Sequence, residues 1–157
     1  TDSLALDGGG NPRLEITGAR FSPPAVPLGS ILSVEIRVKN TGTTTLRTVG
    51  PPPGTTYTTQ MNFNSFRRGG DPAAPPLYFE QAGYWRVGVD FSTSGRPFPI
   101  RWGLGHDLAP GEEAVITGTI QVLIEQTREV YFWAGVAQEG VGFPGGQVGL
   151  QRIIVSY

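Results

Sequence analysis

Residues 31–42, ILSVEIRVKNTG, restrict the fold more than any other stretch of this chain. Leu32, Val34, Ile36 and Val38 alternate with Ser33, Glu35, Arg37 and Lys39, the period of a strand with one face buried and one wet. Asn40-Thr41-Gly42 then supplies turn chemistry, because Asn and Gly accept the backbone angles a tight reversal needs. A strand of this kind needs partners on both sides and a second layer over its apolar face.

The rest of the chain repeats the pattern and denies helices. Its 23 glycines and 14 prolines fall in clusters between alternating segments, with no triplet period and no internal repeat. RLEITGARF reads as a strand, and the prolines of SPPAVPLGS exclude both helix and central ladder. TTTLRTV and TTYTTQMNF are shorter strands. GYWRVGVDFS places Trp85, Val87, Val89 and Phe91 inward, with Tyr84, Arg86, Gly88 and Asp90 on the opposite side. PFPIRWGLG groups Phe98, Ile100, Trp102 and Leu104 at a sheet edge, as Pro97 and Pro99 suggest. EAVITGTIQVL alternates again, REVYFWAGVAQE is apolar on both faces and expected to be central and covered, and LQRIIVSY closes the chain. The expected fold is all-β: an immunoglobulin-like antiparallel β-sandwich of eight or nine strands, in one domain over residues 12–157 with a long insertion at 50–76.

LEITGARFSPPAVPLGSILSVEIRVKNTGTTTL resembles the opening of bacterial immunoglobulin-like adhesion modules of the CARDB kind, in which a strand, a Pro/Gly turn, an alternating strand and an Asn-Thr-Gly turn follow one another. DLAPGEEAVITGTI is similar to a later Pro-Gly-Glu turn and strand of such modules. The resemblance spans about half the chain and departs from the pattern at 50–76 and at YFWAGVAQEGVGF. It implies an extracellular, non-catalytic sandwich used for adhesion, spacing or assembly.

Charge and composition narrow the function classes. The net charge is −1, with a single lysine, Lys39, among the twelve basic residues, so no broad basic field invites nucleic acid. Zero cysteines remove disulfides and thiolate metal sites. No run of about twenty apolar residues is present for a membrane-spanning helix. The chain starts at Thr1 without a signal-type segment, and a processed, exported protein or an excised domain is expected.

No catalytic signature emerges, and neither an enzyme, a cofactor nor a metal site is expected. His106 is the sole histidine and sits in the turn LGHDLAPGE beside Asp107, Glu112 and Glu113. Asp90 and Glu80 are candidates for a hydrolase only in that they lie near aromatics, and alternation turns Asp90 outward, to solvent or to Arg86.

Two surfaces attract a functional reading instead. The N-terminal SLALDGGG, residues 1–11 in all, reads as an arm. Leu4 and Leu6 form a miniature strand, and Gly8, Gly9 and Gly10 form a hinge. Such an arm can pair with its own sheet or complete a neighbour's, which makes self-assembly into a surface layer or filament by β-strand addition the first expectation. The partners are then copies of the chain or neighbouring cell-surface proteins. Tyr84, Tyr131 and Trp133 share the outward register and offer an aromatic platform for a carbohydrate or other ligand, unless the 50–76 insertion covers it. Gly88, Gly103, Gly118 and Gly135 lie among these strands, where glycine marks the close approach of a ring or another backbone.

Overall fold

The computed structural model describes residues 13–61, 73, 83–94, 98–123, 129–139, 142 and 147–156. The arm residues Leu4, Leu6, Gly8, Gly9 and Gly10, much of the 50–76 insertion, and Glu80 lie outside them.

Nine strands and no helix are found among the described residues: β1 (Leu14–Ser22), β2 (Ala25–Pro27), β3 (Ile31–Asn40), β4 (Thr56–Thr58), β5 (Trp85–Phe91), β6 (Ile100–Trp102), β7 (Glu113–Gln121), β8 (Glu129–Gln138) and β9 (Val148–Ser156). They form a four-stranded sheet, ordered β1-β3-β7-β4, and a five-stranded sheet, ordered β2-β9-β8-β5-β6. This is the expected β-sandwich.

The long pairs β1–β3, β3–β7, β5–β8 and β8–β9 are antiparallel, as alternation and tight turns favour. The outer strands β2 and β4 pair in parallel with β9 and β7, a feature that alternation within a strand does not encode. Each is three residues long and reaches its partner through a proline-rich connection, so the sheets gain short edges that offer little backbone to another chain. β6 is also an edge strand of three residues, where Pro97 and Pro99 had placed an edge.

The core lies between the sheets. Leu32, Val34, Ile36 and Val38 of β3 face Val87, Val89, Val130, Phe132 and Ile153 of the opposite layer, all buried. Phe132 joins Phe21 and Phe91 at ring-centroid distances of 5.9 and 5.4 Å. Trp102 crosses the layer to Tyr57, edge to face at 5.4 Å, and donates its indole N–H to the Thr55 carbonyl at 2.9 Å. Trp85 and Trp102 are inward, as the alternation implies.

The turn after β3 is fastened by Asn40. Its side chain is fully buried, donates to the carbonyls of Thr44 and Leu108 at 2.8 and 2.9 Å, and accepts from Gly42 N–H at 2.9 Å. The Asn-Thr-Gly signal is therefore both a turn and a clamp onto the 104–112 loop.

Candidate functional site

β5 presents Trp85, Val87, Val89 and Phe91 to the core, and all seven of its residues are buried. The residues expected to be wet are not. Arg86 is 0% exposed and Asp90 8% exposed. The physical reason is a cover on the outer face. Phe98 lies over Gly88, whose missing side chain makes room, since a Cβ there would stand 2.8 Å from the Cβ of Phe98. Gly135 stands opposite Gly88 in the β5–β8 register, which extends the shallow seat.

Asp90 holds that cover in place. Its Oδ2 accepts the Phe98 N–H at 3.1 Å, and its Oδ1 accepts from Phe91 N–H at 2.8 Å and from the Ser94 hydroxyl. Phe98 adopts a φ of 44°, a region non-glycine residues avoid, and its carbonyl accepts from Arg101 Nε at 2.8 Å. Arg101 in turn donates from Nη1 to both carboxylate oxygens of Glu139, at 2.9 Å each, and Arg86 Nε lies 3.6 Å from the same carboxylate. The expectation that Asp90 is a solvated residue or an Arg86 partner is corrected: it anchors a loop, and Glu139 is the carboxylate beside Arg86. This cluster is a buried brace whose oxygens are occupied by donors, a poor arrangement for moving protons to a substrate.

The aromatic set divides. Tyr131 is 39% exposed, Trp133 is half-buried, and the two lie two residues apart on the outer face of β8. The bulge between Phe132 and Ala134 sets Leu150 of β9, 58% exposed, beside them, and Arg152 is paired in register with Tyr131. The expectation that β8 is covered on both faces therefore holds only from Gly135 onward. Tyr84 is elsewhere. It sits opposite Glu139, whereas Tyr131 sits opposite Ser92, eight residues further along β5 and about 27 Å away at the rise of a strand. Arg47 packs over the Tyr84 ring at 5.4 Å.

His106 is exposed, its Nδ1 2.8 Å from the Asp107 carbonyl and its Nε2 3.6 Å from Glu112. No group of three or more candidate metal-ligating side chains gathers among the described residues. Gly118 lies under the Trp102 indole and Gly103 against the Val49 carbonyl, as expected of glycines marking close approach.

Sequence reasoning passed over the outer face of the four-stranded sheet. Arg20, Ser22, Ser33, Glu35, Thr117 and Thr119 line a cleft of about 340 Å³ there, walled at one end by Gly54. The signal was present in the wet positions of β1, β3 and β7 at Arg20, Ser22, Ser33, Glu35, Thr117 and Thr119, which are all polar.

No family model and no curated protein matches this sequence. Among solved structures, a CARDB domain from Pyrococcus furiosus, in complex with di-metal ions, is similar over 92% of this chain and 94% of that domain, with 16% identity and a TM-score of 0.50. Smaller likenesses are to a Pseudomonas fluorescens alkylpurine DNA glycosylase (12% identity, TM-score 0.48, 99% of this chain and 33% of that one) and to an Erythrobacter marinus β-glucosidase (14% identity, TM-score 0.47, 92% and 15%). The first supports a CARDB-like sandwich fold, the fold that the opening strands and turns had suggested.

Proposed function

We infer that this chain is a non-catalytic accessory module that works outside the cell and attaches to polysaccharide through the outer face of its five-stranded sheet. The observation that carries this reading is the grouping of Tyr131, Trp133 and Leu150 on adjoining strands, with two of the three well exposed. Sugar rings stack their C–H faces on aromatic side chains, and a contiguous apolar patch on a polar surface marks an interaction site. The Arg152–Glu129 pair, 3.6 Å apart on the same face, leaves the rim near neutral and offers polar contacts to hydroxyls. A non-catalytic role is supported by Asp90 and Glu139, both held as structural anchors.

Self-assembly by strand addition lacks support of this kind. The arm lies outside the described residues. Three of the four sheet edges are three residues long, and the fourth, β1, is occupied at Phe21 by the Gln151 side chain.

Retention of the full chain on insoluble polysaccharides tests the inference. Tyr131→Ala and Trp133→Ala are expected to abolish retention while keeping a cooperative melt. Retention equal to the parent in Tyr131→Ala, the more exposed of the two, overturns it.

A further inference from the structure

We propose that the cleft on the outer face of the four-stranded sheet is a separate binding site for a saccharide that carries a carboxylate. The register builds it. Arg20, Glu35 and Thr117 form one row across β1, β3 and β7, and Ser22, Ser33, Thr119 and Thr56 form the next across all four strands. Neighbouring strands lie about 4.8 Å apart, so the second row is a line of four hydroxyl side chains, of which Thr56 and Thr119 are joined by a hydrogen bond of 2.7 Å.

The cleft's volume of about 340 Å³ falls in the range of small-ligand sites, about 300–1,000 Å³.

Charge selects the ligand. Glu35 is engaged by Arg37, Nε to Oε2 at 3.0 Å. Arg20 makes no ion pair or hydrogen bond among the described residues, nor do the hydroxyls of Ser22, Ser33 and Thr117. The cleft therefore offers one guanidinium whose N–H groups are not hydrogen-bonded among the described residues and whose fork matches a carboxylate, next to hydroxyls that both donate and accept, as sugar hydroxyls do.

Two other anionic partners fit less well. An extended peptide pairs with a sheet edge, whereas this is a sheet face whose strands are already hydrogen-bonded to one another. Nucleic acid binding draws on several cations together, and here one free arginine stands beside Glu35. The site shares no residue with the Tyr131 face, so either proposal can fail without the other.

The experiment titrates the full chain with short galacturonate, glucuronate and mannuronate oligomers, with their methyl esters, and with penta-glutamate, by calorimetry and amide chemical shifts. At least one acidic oligomer is expected to bind, shifting Arg20, Ser33 and Thr117. Esterification or Arg20→Gln should weaken that binding about tenfold, Thr117→Val by a smaller factor, and Trp133→Ala not at all. Arg20 is exposed, so its replacement leaves the fold intact. The proposal is overturned if no acidic oligomer binds at millimolar concentration, if acid and ester or parent and Arg20→Gln bind alike, if Trp133→Ala removes binding, or if penta-glutamate binds as tightly.

Discussion

The indole of Trp102 occupies the space that a Cβ on Gly118 would need, with its Cζ2 and Cε2 atoms inside contact distance of that position. The two residues come from opposite sheets, β6 and β7, so this contact fixes how closely the layers approach at one end of the sandwich. Gly118→Ala should therefore cost at least the ~1–3 kcal/mol typical of an overpacked core. Trp102→Phe shrinks the ring but also gives up the hydrogen bond to Thr55. The double variant is expected to be more stable than the sum of the single losses predicts, which a double-mutant cycle in urea measures.

Glu139→Gln tests the buried brace. The change removes the negative charge that faces Arg101 and Arg86, both almost wholly buried. Breaking one side of such a pair costs about 3–5 kcal/mol, because the attraction between the charges is strong in a poorly solvating interior. Chemical denaturation should show a loss of this size, larger than for Glu35→Gln, whose pair with Arg37 is on the surface and contributes at most about 1 kcal/mol. Equal losses would contradict the brace.

Particular residues show what a sequence of this type reveals and conceals. The alternation of β3, and the inward set Trp85, Val87, Val89 and Phe91, were legible because each depends only on period 2 and one buried face. The same rule misplaced Arg86 and Asp90, since it takes the second face to be wet. What covers that face is Phe98, ten residues beyond Gly88, and the glycine was the local trace of it. Nothing near Glu139 announced Arg101, 38 residues earlier in the chain. The parallel edge strands were illegible for a related reason: pairing is a choice among partners, and β2 and β4 carry only three paired residues each. The cleft residues were visible singly as polar positions, but the row formed by Ser22, Ser33 and Thr119 exists only in the register.

The separation of the aromatics yields a directional outcome. Tyr84 stands about 27 Å along the sheet from Tyr131 and is engaged by Arg47. Tyr84→Ala should therefore leave polysaccharide retention at the parental level, whereas Leu150→Ser should lower it alongside Tyr131→Ala. A loss in Tyr84→Ala equal to that in Tyr131→Ala would mean that the ligand spans the sheet, which a parallel assay of the three variants decides.

Asn40 distinguishes a turn residue from a clamp. A residue that merely favours a turn is exchanged for Asp with little penalty, as both form the same local bond to a following N–H. Here the amide nitrogen donates to the carbonyls of Thr44 and Leu108 in a buried setting. Asn40→Asp removes both donors and sets a carboxylate against two carbonyl oxygens. It should destabilise more than Asn40→Ala, which leaves the carbonyls unsatisfied at about 1–3 kcal/mol each without adding charge. Melting temperatures in the opposite order would reduce Asn40 to its turn role.

The Gln151 side chain occupies the one long edge of the four-stranded sheet at Phe21. Its amide nitrogen donates to the Phe21 carbonyl at 2.7 Å, and its oxygen receives the Phe21 N–H at 3.4 Å, the two bonds a neighbouring strand would make. Gly149 tightens the same seam, since a Cβ there would stand 2.8 Å from the Cβ of Ala19. Removing the amide reopens the edge, and unpaired strand edges associate. Gln151→Ala is expected to lose about 1–2 kcal/mol for the two bonds and to sediment as larger species than the parent at equal concentration. Gln151→Glu should also be destabilised, because its carboxylate faces a carbonyl. It should stay at the parental size, because the added charge repels a second copy at the same edge. Identical sedimentation of Gln151→Ala and Gln151→Glu would show that the side chain braces β1 without guarding it.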